Sequence, residues 1–144
     1  MTSRHCVAVM ASAVLCVTLA GCSKEADTMS RYPYFIETLN ERWVIIRASF
    51  ASDKPNISLP AVLLTDLVGT VEAMEGTYSG PNRDAAIAKL KEVYTQLYAE
   101  LDAQLVLGHG NVTLKFGATA KGVSESIEKA YKGYTEFQEL VKVK

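Results

Sequence analysis

The amino-acid sequence predicts an all-α fold, an antiparallel four-helix bundle, on the basis of three observations. Four segments of similar length repeat apolar residues at steps of three and four, the period of a helix with one buried face. Short stretches rich in Gly, Pro, Asn and Ser separate them, and short connections favour antiparallel neighbours. The chain has 144 residues, 49% of them hydrophobic, which is enough to bury one core without disulfides or a metal.

The first two predicted helices are separated by the turn sequence SDKPNIS. The first begins near Pro33, and its apolar face consists of Phe35, Ile36, Leu39, Trp43, Ile46 and Phe50. The run RWVIIR within it also fits a buried strand, but the longer spacing around it favours a helix. Ser58 is a candidate N-cap of the second helix, with Pro60 tolerated in its first turn. Its apolar face consists of Leu63, Leu64, Leu67, Val71 and Met74, and Gly69 inside it would let a neighbouring helix approach closely.

The third predicted helix has the clearest period. We expect it to begin after Asn82, its N-cap, and to end at Gly108 or Gly110, with Asp84 favourably placed in the first turn. Its apolar positions are Ile87, Leu90, Tyr94, Leu97, Leu101 and Leu105. The next segment, NVTLKFG at 111–117, alternates apolar and polar residues as a strand does. Because no second strand is evident to pair with it, an extended crossing segment and the start of the last helix are alternatives.

The fourth predicted helix follows a strict 3-4-3-4 spacing. Its apolar positions are Ala120, Val123, Ile127, Ala130, Tyr134, Phe137 and Val141. Glu125 and Lys129, and likewise Glu128 and Lys132, are spaced as i,i+4 ion pairs in the favourable order.

The first 22 residues, MTSRHCVAVMASAVLCVTLAGC, have the layout of a secretory signal peptide. A basic start at Arg4 precedes an uncharged, mostly apolar run from Cys6 to Ala20, which is shorter than the roughly 20 residues that a membrane-spanning helix needs. The run ends in LAGC, which resembles the lipobox of bacterial lipoproteins. The resemblance implies cleavage between Gly21 and Cys22 and a diacylglycerol on the Cys22 sulfur, with acylation of the new amino group in many species. Two or three acyl chains form a stable membrane anchor.

The predicted organisation is a lipoprotein signal peptide at 1–21, a polar tether at 22–31 and a single helical domain at 32–144. The lipobox resemblance covers only the first 22 residues, and an ordinary signal peptide with a chance cysteine is the alternative. Cys6 and Cys16 would leave with the signal peptide and Cys22 would carry lipid, so the domain keeps no thiol for a disulfide, a metal site or a nucleophile. The formal net charge of −1, without a basic stripe, argues against nucleic acid as a partner.

His109, flanked by glycines in GHGN, is the one histidine of the predicted domain and a candidate acid or base. A single histidine, with no Cys, Asp or Glu near it at ligand spacing, does not predict a metal site. No sequence motif indicates a cofactor, and no Gly-x-Ser-x-Gly or Ser-x-x-Lys motif frames a nucleophile. We therefore expect no metal and no cofactor.

Tyrosine is in mild excess, with Tyr94 and Tyr98 one turn apart and Tyr131 and Tyr134 nearly so. If the last two helices are neighbours, these four side chains could form one interaction patch, because tyrosine combines a rigid apolar ring with a polar tip. The alternative is that they line the boundary of the core with their hydroxyl groups in water.

These features favour a lipid-anchored, non-enzymatic binding or scaffold module of the bacterial cell envelope, with an envelope protein as its partner. Ser23, after the cysteine, is typical of lipoproteins delivered to the periplasmic face of the outer membrane. One alternative is a small periplasmic hydrolase or ligand carrier that uses His109 and a carboxylate brought near by folding. Another is an inhibitor or immunity-type lipoprotein, which an exposed tyrosine patch would favour.

Overall fold

Four helices and one small antiparallel sheet make up the part of the chain that the computed structural model describes, residues 22–108 and 111–142, with side chains from residue 34 onward. In chain order they are α1 (Cys22–Phe50), α2 (Leu59–Thr77), α3 (Arg83–Gln104), β1 (Leu105–Leu107), β2 (Val112–Leu114) and α4 (Ala120–Val141). The fold is therefore mostly helical, as the sequence predicts. Among these described helices, none is both long and apolar enough to cross a membrane.

The helical backbone of α1 reaches back to Cys22, whereas the sequence pattern predicts a helix only from Pro33. Residues 22–31, predicted to be a tether, are rich in good helix formers such as Lys24, Glu25 and Ala26 and contain neither Gly nor Pro. A helix can separate the anchor from the domain as well as an extended segment can, so the tether role of residues 22–31 stays a prediction. The predicted signal peptide at 1–21, with Gly21 of the cleavage position, lies outside the described residues.

The core consists largely of the residues that the helical spacing predicts. The buried predicted residues are Leu39, Trp43, Ile46, Leu63, Leu64, Leu67, Val71, Met74, Ile87, Leu90, Leu97, Leu101, Leu105, Val123, Ile127, Ala130, Tyr134, Phe137 and Val141. Phe35, Ile36, Phe50, Tyr94 and Ala120 are only half-buried. Each helix thus buries one apolar face, as expected.

Polar contacts between helices show how they run relative to one another. Between α3 and α4, Lys89 pairs with Glu136 at 2.9 Å and Lys129 with Glu100. The residue numbers rise on one helix as they fall on the other, so α3 and α4 are antiparallel. Gly133 of α4 lies directly against Val93 of α3, so the two backbones approach closely there.

The contacts between α1 and α4 show that these two helices are antiparallel as well. Asn40 accepts a hydrogen bond from Gln138 of α4 at 2.7 Å, while Arg47 pairs with Glu128 at 2.6 Å.

The i,i+4 pairs predicted along α4 are not formed, because Glu128 and Lys129 instead pair with Arg47 and Glu100 on neighbouring helices. Glu128 and Lys129 therefore join helices, while Lys121 and Glu125 form a different i,i+4 pair within α4 at 3.7 Å.

The largest difference from the sequence prediction is the end of α3. The helix ends at Gln104, short of Gly108 and Gly110, and the backbone of Leu105 is extended. Residues 105–107 pair with 112–114 as an antiparallel hairpin, so the missing partner strand is the segment assigned to the helix. Leu105 continues the helical spacing although it is buried as part of the strand, so the apolar period extends past the end of the helix. The alternatives left open for 111–117 resolve to a strand at Val112–Leu114.

The helix ends use caps that differ from those predicted. Neither Ser58 nor Asn82 accepts a side-chain capping hydrogen bond, although each precedes its helix. Asn82 adopts a left-handed backbone conformation (φ 52°), and its side-chain amide donates to the carbonyl of Leu140 at 2.9 Å, near the carboxyl end of α4. Thr119 caps α4 by accepting from the backbone N–H of Gly122.

Candidate functional site

The four tyrosines proposed as one patch lie in two separate places. The rings of Tyr94 and Tyr98 pack together on α3, with centroids 6.2 Å apart, on the side that faces α2. Tyr131 and Tyr134, also 6.2 Å apart, pack instead against Trp43 of α1. The pairs differ because α3 and α4 turn these positions towards different neighbours, which sequence spacing alone does not specify.

The cluster of Trp43, Tyr131 and Tyr134 is part of the core. Trp43 and Tyr134 are both 0% exposed and their rings stack at 5.3 Å. The guanidinium of Arg47 lies 4.0 Å above the Tyr131 ring, and two of its three nitrogens, Nε and Nη2, donate to the Glu128 carboxylate. These contacts join α1 to α4 and leave Tyr134 without any surface for a partner.

Tyr134 nevertheless has a buried polar role. Its hydroxyl donates to the side-chain oxygen of Asn40 at 2.6 Å, an acceptor that it shares with the Gln138 amide. Burial raises the pKa of Tyr134 well above that of a free tyrosine, because the phenolate would lose its solvation. The hydroxyl is therefore a neutral donor that fixes Asn40, rather than an acid.

Tyr94 and Tyr98 line an open groove between α2 and α3, which the hairpin closes at one end. The groove has a volume of about 280 Å³. Its lining residues are Ala61, Leu64, Thr65 and Val68 from α2, Tyr94 and Tyr98 from α3, and Leu107, Gly108 and Val112 from the hairpin. Not one of these nine residues is charged. Tyr98 is 47% exposed and Leu107 37%, so apolar side chains are accessible in it.

The hairpin that closes this groove was not predicted, and it adds exposed apolar surface. Val106 and Leu107 of β1 are exposed, and Phe116 just after β2 is fully exposed. Val62 of α2 is exposed as well. The sequence signal that could have located this surface is the excess of apolar residues at 105–107 beyond the buried Leu105.

A second hollow of about 400 Å³ lies between the other ends of α2 and α3, and four of its six lining residues are charged. Arg83 in its wall donates to the backbone carbonyls of Glu75 and Tyr78, near the carboxyl end of α2, at 2.9 and 2.8 Å. Lys91 pairs with the Glu75 carboxylate and Arg83 with Asp84. The charged side chains of this hollow therefore contact one another and the end of α2. Arg83 binds carbonyl groups that the end of a helix leaves without a partner in the helix.

His109, the candidate acid or base, lies outside the described residues. It directly follows Gly108, which lines the groove between α2 and α3. The lining residues include no carboxylate to act with it. In the described part of the chain, no three His, Cys, Asp or Glu side chains are grouped so that they could hold a metal ion.

Comparison with protein-family models, with curated proteins and with solved structures finds no match for this chain.

Proposed function

We propose that this protein is a lipid-anchored, non-enzymatic binding module of the bacterial cell envelope, and that its four helices form an antiparallel four-helix bundle. The bundle is supported by contacts between α1 and α2, α2 and α3, α3 and α4, and α1 and α4. The anchor is the Cys22 sulfur, supported by the lipobox-like sequence LAGC. Residues 22–31 link the anchor to the domain, and an envelope protein is the partner.

The groove between α2 and α3 is the observation that carries the binding role. Its accessible apolar lining includes two tyrosines, the residue type enriched where proteins bind one another. An enzyme would need polar groups converging on one point, and the groove lining supplies hydroxyl groups but no acid–base pair.

A hydrolase or carrier that uses His109 is the second candidate. In its favour, His109 is next in sequence to Gly108 of the groove. Against it, the carboxylate that such a mechanism requires has no candidate among the nine lining residues. The inhibitor or immunity-type role is a variant of the binding proposal, with a toxic or hydrolytic protein as the partner.

The anchor is tested by metabolic labelling with an alkyne fatty acid and by membrane fractionation. Cys22→Ala is compared with Cys16→Ala, the same change at a cysteine within the predicted signal peptide. Wild type and Cys16→Ala should be labelled and membrane-bound, whereas Cys22→Ala should be neither. Labelled Cys22→Ala protein would refute the lipobox assignment.

The binding role is tested by affinity capture of full-length protein from detergent-solubilised membranes. We expect an envelope protein to be recovered with the wild type and lost with Cys22→Ala. Recovery of nothing above background with either form would contradict the binding proposal and favour a small ligand.

A further inference from the structure

We propose that residues 105–107 exchange between the strand β1 and one further helical turn of α3, and that this exchange opens the end of the groove that the hairpin closes. The movement goes beyond the proposed binding function, because it concerns one wall of the groove whatever the groove binds. Three observations carry it: the hydrogen bonds at the end of α3, the exposure of the residues in β1, and the small size of the sheet.

The hairpin and a longer α3 compete for the same backbone carbonyls. Lys115, just after β2, donates from its backbone N–H to the carbonyl of Gln104 at 2.8 Å and from its Nζ to the carbonyl of Asp102. Both carbonyls belong to the last turn of α3, where an α-helix has no partner of its own for them. If α3 continued by one turn, the N–H groups of Val106 and Gly108 would donate to them instead, since each helical N–H bonds four residues back. One set of bonds therefore replaces the other, and both states satisfy these two carbonyls.

The apolar side chains of β1 would keep their pattern of exposure in a longer helix. A helical residue lies on the same face as the residue four positions earlier. Leu105 would follow Leu101, which is fully buried, whereas Val106 and Leu107 would follow residues 102–103, which are exposed. β1 itself is buried at its first residue and exposed at the next two. The exchange therefore moves no buried side chain of β1 into water.

The sheet that opposes this exchange is small. In the described residues it consists of two strands of three residues each, and a two-stranded hairpin by itself is only marginally stable. The apolar side chains of β2, Val112 and Leu114, are half-buried, and Phe116 beyond them is fully exposed. A longer helix gives up the partial contacts of β2. The hairpin is therefore the favoured state, and the helical turn is a minor one.

The exchange changes the shape of the groove. Leu107, Gly108 and Val112 form its wall at the hairpin end. In the helical state β2 has lost its partner strand, so Val112 leaves the wall and the groove is open at that end. The walls that α2 and the two tyrosines of α3 form stay in place. The hairpin is thus a movable closure on an otherwise fixed groove.

The experiment is amide hydrogen exchange, measured by NMR on the full-length protein in detergent micelles. The N–H of Lys115 loses its partner in the helical state. The N–H of Gly108 has a partner in both states, because it donates to Asn111 at 3.4 Å in the hairpin and would donate to Gln104 in the helix. Relative to their intrinsic rates, the Lys115 amide should therefore exchange at least about tenfold faster than the Gly108 amide.

Ordinary fraying of the hairpin predicts the opposite order. A hairpin that is attached to helices at both ends frays from the end away from them, where Gly108 lies, and Lys115 at its base is exposed last. A Lys115 amide that is as well protected as that of Gly108, or better, would overturn the proposal.

The helix propensity of β1 provides the second measurement. Val106 is exposed and β-branched, so Val106→Ala favours a helix over a strand and should raise the Lys115 exchange rate about threefold. Val44→Ala, the same change at an exposed valine within α1, should leave that rate unchanged. The ¹³Cα chemical shifts of residues 105–107 should move towards helical values with Val106→Ala alone. Faster exchange without helical shifts would overturn the proposal, since the hairpin would then only fray.

A disulfide across the sheet closes the test. Leu107 and Val112 lie directly opposite each other, at a separation that a disulfide spans. The oxidised double variant Leu107→Cys, Val112→Cys should slow Lys115 exchange at least about tenfold, and reduction should restore it. An oxidised protein with an unchanged Lys115 rate would refute the exchange. Failure here leaves the proposed binding function intact, because none of these measurements depends on a partner.

Discussion

Gly133, in the middle of α4, lies against Val93 of α3, and replacing this glycine by alanine tests how closely the two helices pack. A Cβ atom added at Gly133 would lie 2.9 Å from Val93 Cγ2, closer than carbon atoms approach without a shift. Val93 is 1% exposed and β-branched, so its side chain has little freedom to move away. Overpacking of this kind costs about 1–3 kcal/mol. Alanine recovers about 1 kcal/mol through its higher helix propensity, so Gly133→Ala should destabilise the protein by up to about 2 kcal/mol.

The assay is equilibrium denaturation followed by circular dichroism and by the fluorescence of Trp43, the only tryptophan in the chain and a fully buried one. Gly69→Ala is the matched control, because Gly69 lies within α2 with nothing within 4 Å of its added Cβ. That change should stabilise the protein by roughly 0.5–1 kcal/mol. Gly69 is exposed, so within the described structure it does not provide the close helix approach that we expected of it.

A double-mutant cycle isolates the contact. In a Val93→Ala background the clash is absent, so Gly133→Ala should become stabilising by about 1 kcal/mol. If Gly133→Ala stabilises the otherwise wild-type protein as much as Gly69→Ala does, the close approach of α3 and α4 is refuted. If its effect keeps the same sign and size in the Val93→Ala background, the clash is not with Val93.

Three further predictions concern the polar contacts. Burial raises the pKa of Tyr134, so the tyrosine ionises more readily in the unfolded chain than in the folded protein. The free energy of unfolding should therefore fall as the pH rises above about 10. Tyr134→Phe should reduce this fall, as measured by urea titrations at about pH 8 and about pH 11. The hydrogen bond from Lys129 lowers the pKa of Glu100, so its stabilisation is present above the ordinary pKa of 4.5 and is lost in acid. Glu100→Gln should therefore show a shallower loss of stability below about pH 5, and an unchanged acid profile would contradict this. Arg47→Lys keeps the positive charge but loses the two parallel hydrogen bonds to Glu128, at 2.6 and 2.9 Å. It should lower the free energy of unfolding by about 1 kcal/mol, as measured by denaturant midpoint. A loss that salt abolishes entirely would show that charge alone matters.

The sequence pattern predicted the features that depend on local periodicity, namely the buried faces of the helices. Most of the buried apolar residues of α2 and α4 were identified, because each helix buries a single stripe at helical spacing, but Pro60 is buried in addition and Ala120 is only half-buried. The hairpin could not be predicted in the same way. Leu105 satisfies the helical spacing from Leu101, and only its pairing with Leu114 decides that the chain is extended there.

The candidate site depended even more on tertiary structure. Tyr94 and Tyr98 were identified as a pair, but their neighbours Ala61 and Val68 come from a helix that the tyrosine spacing does not specify. The grouping with Tyr131 and Tyr134 failed for the same reason, since relative rotation of helices is set by packing in three dimensions. The wall that the hairpin contributes had only a weak signal in the sequence, the apolar residues that continue past Leu105.

The pairing of α1 with α4 has a consequence for how the protein folds as it is made. These are the first and last helices described, and the polar contacts between them span 81 to 98 residues. Because the chain emerges amino end first, α1 can pack against α2 early, but the Trp43 ring must wait for Tyr131 and Tyr134 of α4 before it is covered. Contacts of such separation close late, after α3 and α4 have paired locally. Until α4 is complete this part of α1 stays exposed, and truncation within α4 should leave the Trp43 ring uncovered.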